Sequence, residues 1–86
     1  MSFVVKFYAD PSHGWGEVKK QVLFDLGIAD KISMFSYMKG DTAYLEEDCD
    51  LPVLTTALAL KGVVVSYKAN HTDGRSPIRS YLPYKV

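Results

Sequence analysis

Hydrophobic and polar positions alternate at the amino end. Phe3, Val5 and Phe7 interleave with Val4, Lys6 and Tyr8, the period-two pattern of a strand that ends near Asp10-Pro11. After a Ser12-His13-Gly14-Trp15-Gly16 loop, Val18, Val22, Leu23 and Leu26 recur at helical spacing. Leu26-Gly27-Ile28 reads as a glycine stop followed by an apolar lock, so a helix near 17–26 is predicted. Residues 32–38 and 42–46 are strand-like, and the Lys39-Gly40-Asp41 link supplies the glycine that a tight hairpin favours. Asp50 stands as a helix cap before Leu51-Pro52. Leu51, Leu54, Ala57 and Leu58 then line one face as far as Lys61-Gly62, which predicts a second helix over 51–61. Residues 63–68 read as a further strand.

The order strand, helix, strand, strand, helix, strand predicts an α+β fold of the ferredoxin-like βαββαβ kind, a two-layer sandwich with both helices on one face of a four-stranded antiparallel sheet. Residues 1–86 make one domain, with a core over 1–69 and a carboxyl-terminal tail over 70–86. That tail opens with turn residues yet carries Ile78, Tyr81, Leu82 and Tyr84. Such side chains predict docking on the sheet or along its edge.

With 86 residues there is too little chain for a second core. Ten basic and ten acidic side chains cancel, which excludes both the global basic field of a generic nucleic-acid binder and the acidic field of a DNA mimic. Cys49 is the single cysteine, so no internal disulfide forms, and no Cys/His array has zinc-finger spacing. The amino end lacks the basic start and apolar run of a signal peptide. Residues 51–67 are too interrupted by Thr55, Thr56, Lys61, Gly62 and Ser66 to span a bilayer. A cytoplasmic life without membrane contact is expected.

Two groups of residues carry candidate chemistry. The expected topology puts Glu46, Glu47, Asp48 and Asp50 near the tail that bears His71, Asp73, Arg75 and Arg79. Carboxylates beside guanidinium groups predict a polar latch that docks the tail. The sharper alternative is a metal site on Asp48, Cys49, Asp50 and His71, serving a metal-dependent hydrolase; the spacing demands no such metal, and no cofactor is expected. Aspartates on both sides of Cys49 disfavour its thiolate. The second group, His13 and Trp15, is expected at the opposite end of the sheet, where flanking glycines allow close approach of a ligand. Trp15 then either plugs the core or offers a stacking ring beside free amides. Ser12 beside His13 has no third orienting group and makes no triad.

Lys6, Tyr8, Val4 and Tyr44 fall on the sheet face that Phe7, Val5, Phe3 and Leu45 leave free. An aromatic face of this kind either stacks bases or is covered by the tail or a second subunit. On the first helix, advancing about 100° per residue groups Val22, Leu26 and Leu23 on one side and turns Phe24 to the other, between Lys20 and Glu17. Phe24 is therefore expected to face a partner or a second copy of the chain.

Four segments, His13-Gly14-Trp15, Leu26-Gly27-Ile28-Ala29-Asp30-Lys31-Ile32, Tyr44-Leu45-Glu46-Glu47-Asp48-Cys49-Asp50 and Gly74-Arg75-Ser76-Pro77-Ile78-Arg79-Ser80-Tyr81, lie in an order that resembles a family of short proteins encoded by bacteriophages, prophages and plasmids. The likeness covers nearly the whole chain. It departs at Gly16-Glu17-Val18-Lys19, where relatives are expected to carry a bulkier residue after the tryptophan and a proline at the helix start. The resemblance implies an accessory protein of a mobile element, working in the cytoplasm of a bacterial host, and supplies no catalytic residues. The expected function is non-enzymatic binding of a host or phage macromolecule, such as a host defence or regulatory protein that it inhibits. A small nucleic-acid-binding module, a metal-dependent enzyme and homodimer formation are the alternatives.

Overall fold

The computed structural model describes residues 2–74 and 76–86. Six strands and two helices follow one another: β1 (Ser2–Ala9), β2 (Gly14–Lys19), α1 (Lys20–Asp25), β3 (Tyr37–Lys39), β4 (Thr42–Glu46), α2 (Leu51–Leu60), β5 (Val64–His71) and β6 (Leu82–Pro83), with short 3₁₀ turns at Ala29–Lys31 and Pro77–Ser80. The sheet order is β5-β1-β2-β4-β3-β6. β5 runs parallel to β1, whereas every other neighbouring pair is antiparallel.

The fold is α+β, with both helices on one face. Leu23 of α1 and Leu51, Leu54 and Leu58 of α2 join Val5, Val18, Ala43 and Leu45 of the sheet in one core. Burying each of these leucines and valines contributes about 1.5–3 kcal/mol, and this single layer of contacts is what a chain of this size can assemble. Tyr84 enters the same core from the tail, where its hydroxyl donates to the Ala29 carbonyl at 2.7 Å.

The strand arrangement departs from the four-stranded antiparallel sheet of a βαββαβ sandwich. Residues 14–19, expected as loop and helix start, form β2, which pairs with both β1 and β4. Val18 faces the core from a strand as it would from a helix, so its apolar character suits either period. Gly14 and Gly16 are the reason the strand fits. A Cβ on Gly14 would run into the Phe7 ring, and one on Gly16 would lie 2.6 Å from Leu51 Cδ1 and 3.1 Å from Val5 Cγ1. These two glycines let Phe7 and α2 lie directly on the sheet. The first helix is accordingly short, Lys20–Asp25 instead of 17–26, and Gly27 at φ 71° closes it. The strand expected over 32–38 shrinks to Tyr37–Lys39 because residues 33–36 are held in a turn by Asp50.

The tail is an ordered part of the fold. Ser76 Oγ accepts from Ile78 N at 3.3 Å and so caps the Pro77–Ser80 turn, Ile78 is buried, and β6 pairs with β3. β5 and β6 occupy opposite edges of the sheet.

Candidate functional site

Cross-strand register decides what meets on the face away from the helices. Tyr8 stands opposite Trp15, Trp15 opposite Glu46, Glu17 opposite Tyr44, and Tyr37 opposite Tyr44. Residues opposite one another share a face. His13 and Trp15, expected at the far end from the acidic segment, therefore lie beside Glu46; the correction follows directly from β2 being a strand between β1 and β4.

Trp15 is the hub. The indole is 2% exposed although it sits on the face without helices. Three groups cover it: the Arg79 guanidinium 5.4 Å from the ring, the His13 ring at 6.1 Å and the Tyr37 ring at 6.2 Å. Among the described residues, its buried Nε1 has no hydrogen-bond partner. Trp15, His13, Phe35, Tyr37, Glu46, Cys49 and Arg79 line one cleft of about 260 Å³. Of these, Phe35 is 69% exposed, and Met34 before it in sequence is exposed as well.

Arg79 is placed by a residue the sequence marked only as a strand end. Its Nε and Nη2 donate to the two oxygens of Asp10 at 2.6 and 3.0 Å. Asp10 is buried and also accepts from the backbone N–H groups of Ser12, His13 and Ser76. The Arg79 guanidinium, opposed by burial and helped by those amides, holds the Asp10 carboxyl well below the usual carboxylate range. Asp10 therefore orders the loop that carries His13 while it fixes the arginine over Trp15.

This arrangement corrects the expected latch. Arg79 docks the tail on Asp10, not on the 46–50 segment, and Arg75 lies outside the described residues. Asp50 is buried and occupies the cap position of α2, but its carboxylate accepts from Ser33 N, Ser33 Oγ and Ser36 Oγ instead of capping the helix. Ser36 Oγ in turn accepts from Glu46 N, and the Ser36 carbonyl from Tyr84 N. Glu46 accepts from Asp48 N, while Glu47 and Asp48 are exposed. Asp50 is needed inside because it anchors the turn that delivers Phe35 and Tyr37 to the cleft.

Cys49 is exposed at the cleft and remains a thiol: the hydrogen bond to Glu46, then burial and the nearby carboxylates, push its pKa up. The proposed metal ligands do not converge. His71 pairs with Asp73 at 3.4 Å, and among the described residues no three His, Cys, Asp or Glu side chains are grouped to hold an ion.

Beside the cleft, Tyr8 and Tyr44 meet at 6.3 Å, and Tyr81 of the tail packs on Tyr44 at 5.1 Å. Burial, then the Glu17 carboxylate, raises the pKa of both Tyr8 and Tyr44. Lys39 lies over the Tyr81 ring at 5.0 Å. The tail thus covers part of this aromatic face. Phe24 is half exposed on α1 beside Lys19, Lys20, Gln21 and Asp41, in the helical layer and apart from His13 and Trp15. No described helix is long and apolar enough to cross a membrane. Neither the family models nor the curated proteins nor the solved structures contain a match to the chain.

Proposed function

We propose that the chain is a non-enzymatic accessory protein that binds a partner protein of the host or phage through the cleft of His13, Trp15, Phe35, Tyr37 and Arg79. The observation that carries this reading is the exposed Phe35 ring in a cleft floored by tryptophan, tyrosine and arginine. Those three residue types are the usual anchors of protein interfaces, and large apolar side chains at the rim supply the area that excludes water around them. The polar groups in the cleft serve positioning: Arg79 is engaged by Asp10, and Cys49 is held as a thiol. The setting in a mobile element, and inhibition of a host defence or regulatory protein as the outcome, rest on the four-segment resemblance. Three of those segments contribute to the cleft, through His13 and Trp15, Glu46 and Cys49, and Arg79.

A nucleic-acid partner is the weaker reading, because the chain carries no net charge and the guanidinium in the cleft, Arg79, is already paired with Asp10. The test is recovery of partners from the bacterial host on a tagged chain, with and without nuclease, beside Phe35→Ser and Phe24→Ser. A nuclease-resistant protein lost with Phe35→Ser supports the cleft. Recovery that nuclease abolishes transfers the reading to nucleic acid, and loss with Phe24→Ser alone transfers it to α1.

A further inference from the structure

The indole N–H of Trp15 is buried and, among the described residues, meets no acceptor. Buried donors are almost always paired, so an unpaired one at the wall of a cleft calls for an acceptor brought from outside the chain. A phenylalanine would fill the same space without that donor. Across the β2–β4 register Trp15 stands opposite Glu46, and side chains so placed start about 5 Å apart. Both border the cleft. The Glu46 carboxylate accepts from Asp48 N at 2.9 Å and from the Cys49 thiol, which leaves about two of its four acceptor positions open. A donor and an acceptor therefore stand side by side. The His13 and Phe35 rings that border them are exposed, so a ligand reaches the indole edge by turning either ring aside.

We propose that the cleft seats a carboxamide, the side chain of an asparagine or glutamine on the partner protein, whose carbonyl accepts from Trp15 Nε1 while its N–H donates to Glu46. This names the chemistry the partner presents, and it presupposes that the cleft is the partner's binding site. Rival groups each fail one contact. A carboxylate brings no donor to Glu46 and meets a like charge there, because the guanidinium in the cleft is already paired with Asp10. An ammonium has no acceptor for the indole. A hydroxyl carries donor and acceptor on one atom, whereas a carboxamide separates them and lays a flat face against the rings of Phe35 and Tyr37. The size also fits: about 260 Å³ lies below the roughly 300–1,000 Å³ of small-molecule pockets and suits a single side chain.

Trp15 is the single tryptophan, so an isotopically labelled full chain gives one indole N–H cross-peak by NMR. Acetamide, acetate, methylammonium and uridine are titrated separately at constant ionic strength, to about 0.2 M because groups this small bind at roughly millimolar strength. Acetamide should move the indole proton downfield to a plateau. Glu46→Gln, which exchanges an ionised acceptor for a neutral one, should weaken that binding about three- to tenfold. The absence of a plateau with acetamide overturns the proposal, as does an equal response to acetate or methylammonium, a response to uridine alone, or an unchanged affinity in Glu46→Gln. The interface itself is judged separately. A protein recovered on the tagged chain and lost with Phe35→Ser, together with an indole peak indifferent to acetamide, removes the carboxamide and leaves the cleft as the partner's site.

Discussion

Arg79 and Asp10, 69 residues apart in sequence, form a two-point ion pair through Nε to Oδ2 and Nη2 to Oδ1, with the Asp10 side chain 2% exposed and that of Arg79 25% exposed. The pair ties the carboxyl-terminal turn to the first hairpin. It also lays a guanidinium plane over Trp15, so docking of the tail and construction of the cleft are one event.

The pair sets an acid dependence. Asp10 has a folded pKa below its unfolded value of about 3.9. Its contribution is therefore complete above that value and is lost as the pH falls through the folded one. Urea midpoints of the wild-type chain should fall between pH 5 and pH 3 more steeply than those of Asp10→Asn. Equal slopes in the two proteins would show that the carboxylate is not linked to folding.

Gly16 should tolerate no side chain. Gly16→Ala pushes a methyl into Leu51 and Val5 and is expected to cost about 1–3 kcal/mol. Gly74→Ala, where an added Cβ meets nothing within 4 Å, should stay within about 0.5 kcal/mol. Chemical denaturation separates them, and a stable Gly16→Ala would return these glycines to a ligand-approach role.

Removing the tail should unfold part of the core. Tyr84→Ala leaves the space of a buried ring and abandons the Ala29 carbonyl, for an expected loss of about 3–5 kcal/mol, whereas Tyr84→Phe should lose about 1 kcal/mol. A chain ending at residue 74 lacks Ile78, Tyr84 and Arg79 together. Its melting temperature should fall far below that of the full chain, and equal melting curves would contradict a docked tail.

Phe24→Ser and Phe35→Ser each alter an exposed side chain and should leave stability within about 1 kcal/mol. Thermal melts therefore validate both variants before partner recovery is compared. A larger loss at Phe24 would place it in the core.

The Cys49 thiol should alkylate slowly near neutral pH, because Glu46 and the flanking carboxylates disfavour its thiolate. Glu46→Gln removes the largest of these influences and should speed reaction with iodoacetamide at pH 7.5, a rate followed by mass spectrometry. An unchanged rate would detach Glu46 from the thiol.

Elements whose pattern had a single period were legible from sequence. β1 alternates without ambiguity, and α2 has its proline start, its buried Leu51, Leu54 and Leu58 and its glycine stop where expected. The exposure of Phe24 also followed from helical phase. Residues 14–19 read as loop and helix start because Val18 satisfies both periods and because Gly14 and Gly16 have the character of loop glycines. The alternation was present all the same: Trp15, Glu17 and Lys19 point one way, and Gly14, Gly16 and Val18 the other.

What the sequence by itself determined was the α+β class, the position of the second helix, the apolar character of the tail and the absence of a recognisable metal or nucleophile motif. Those properties depend on local propensity and on one-dimensional spacing. What only the tertiary structure decided was which strands are neighbours, and hence that Trp15 lies beside Glu46 and that Arg79 chooses Asp10 over the more numerous acids of residues 46–50. Charge attracts an arginine to any of those carboxylates. Burial, two matched oxygens and three converging backbone amides exist only at Asp10 once β1, β2 and the tail have come together. A pairing that depends on desolvation is settled by the fold, because no single segment of the chain excludes the water on its own.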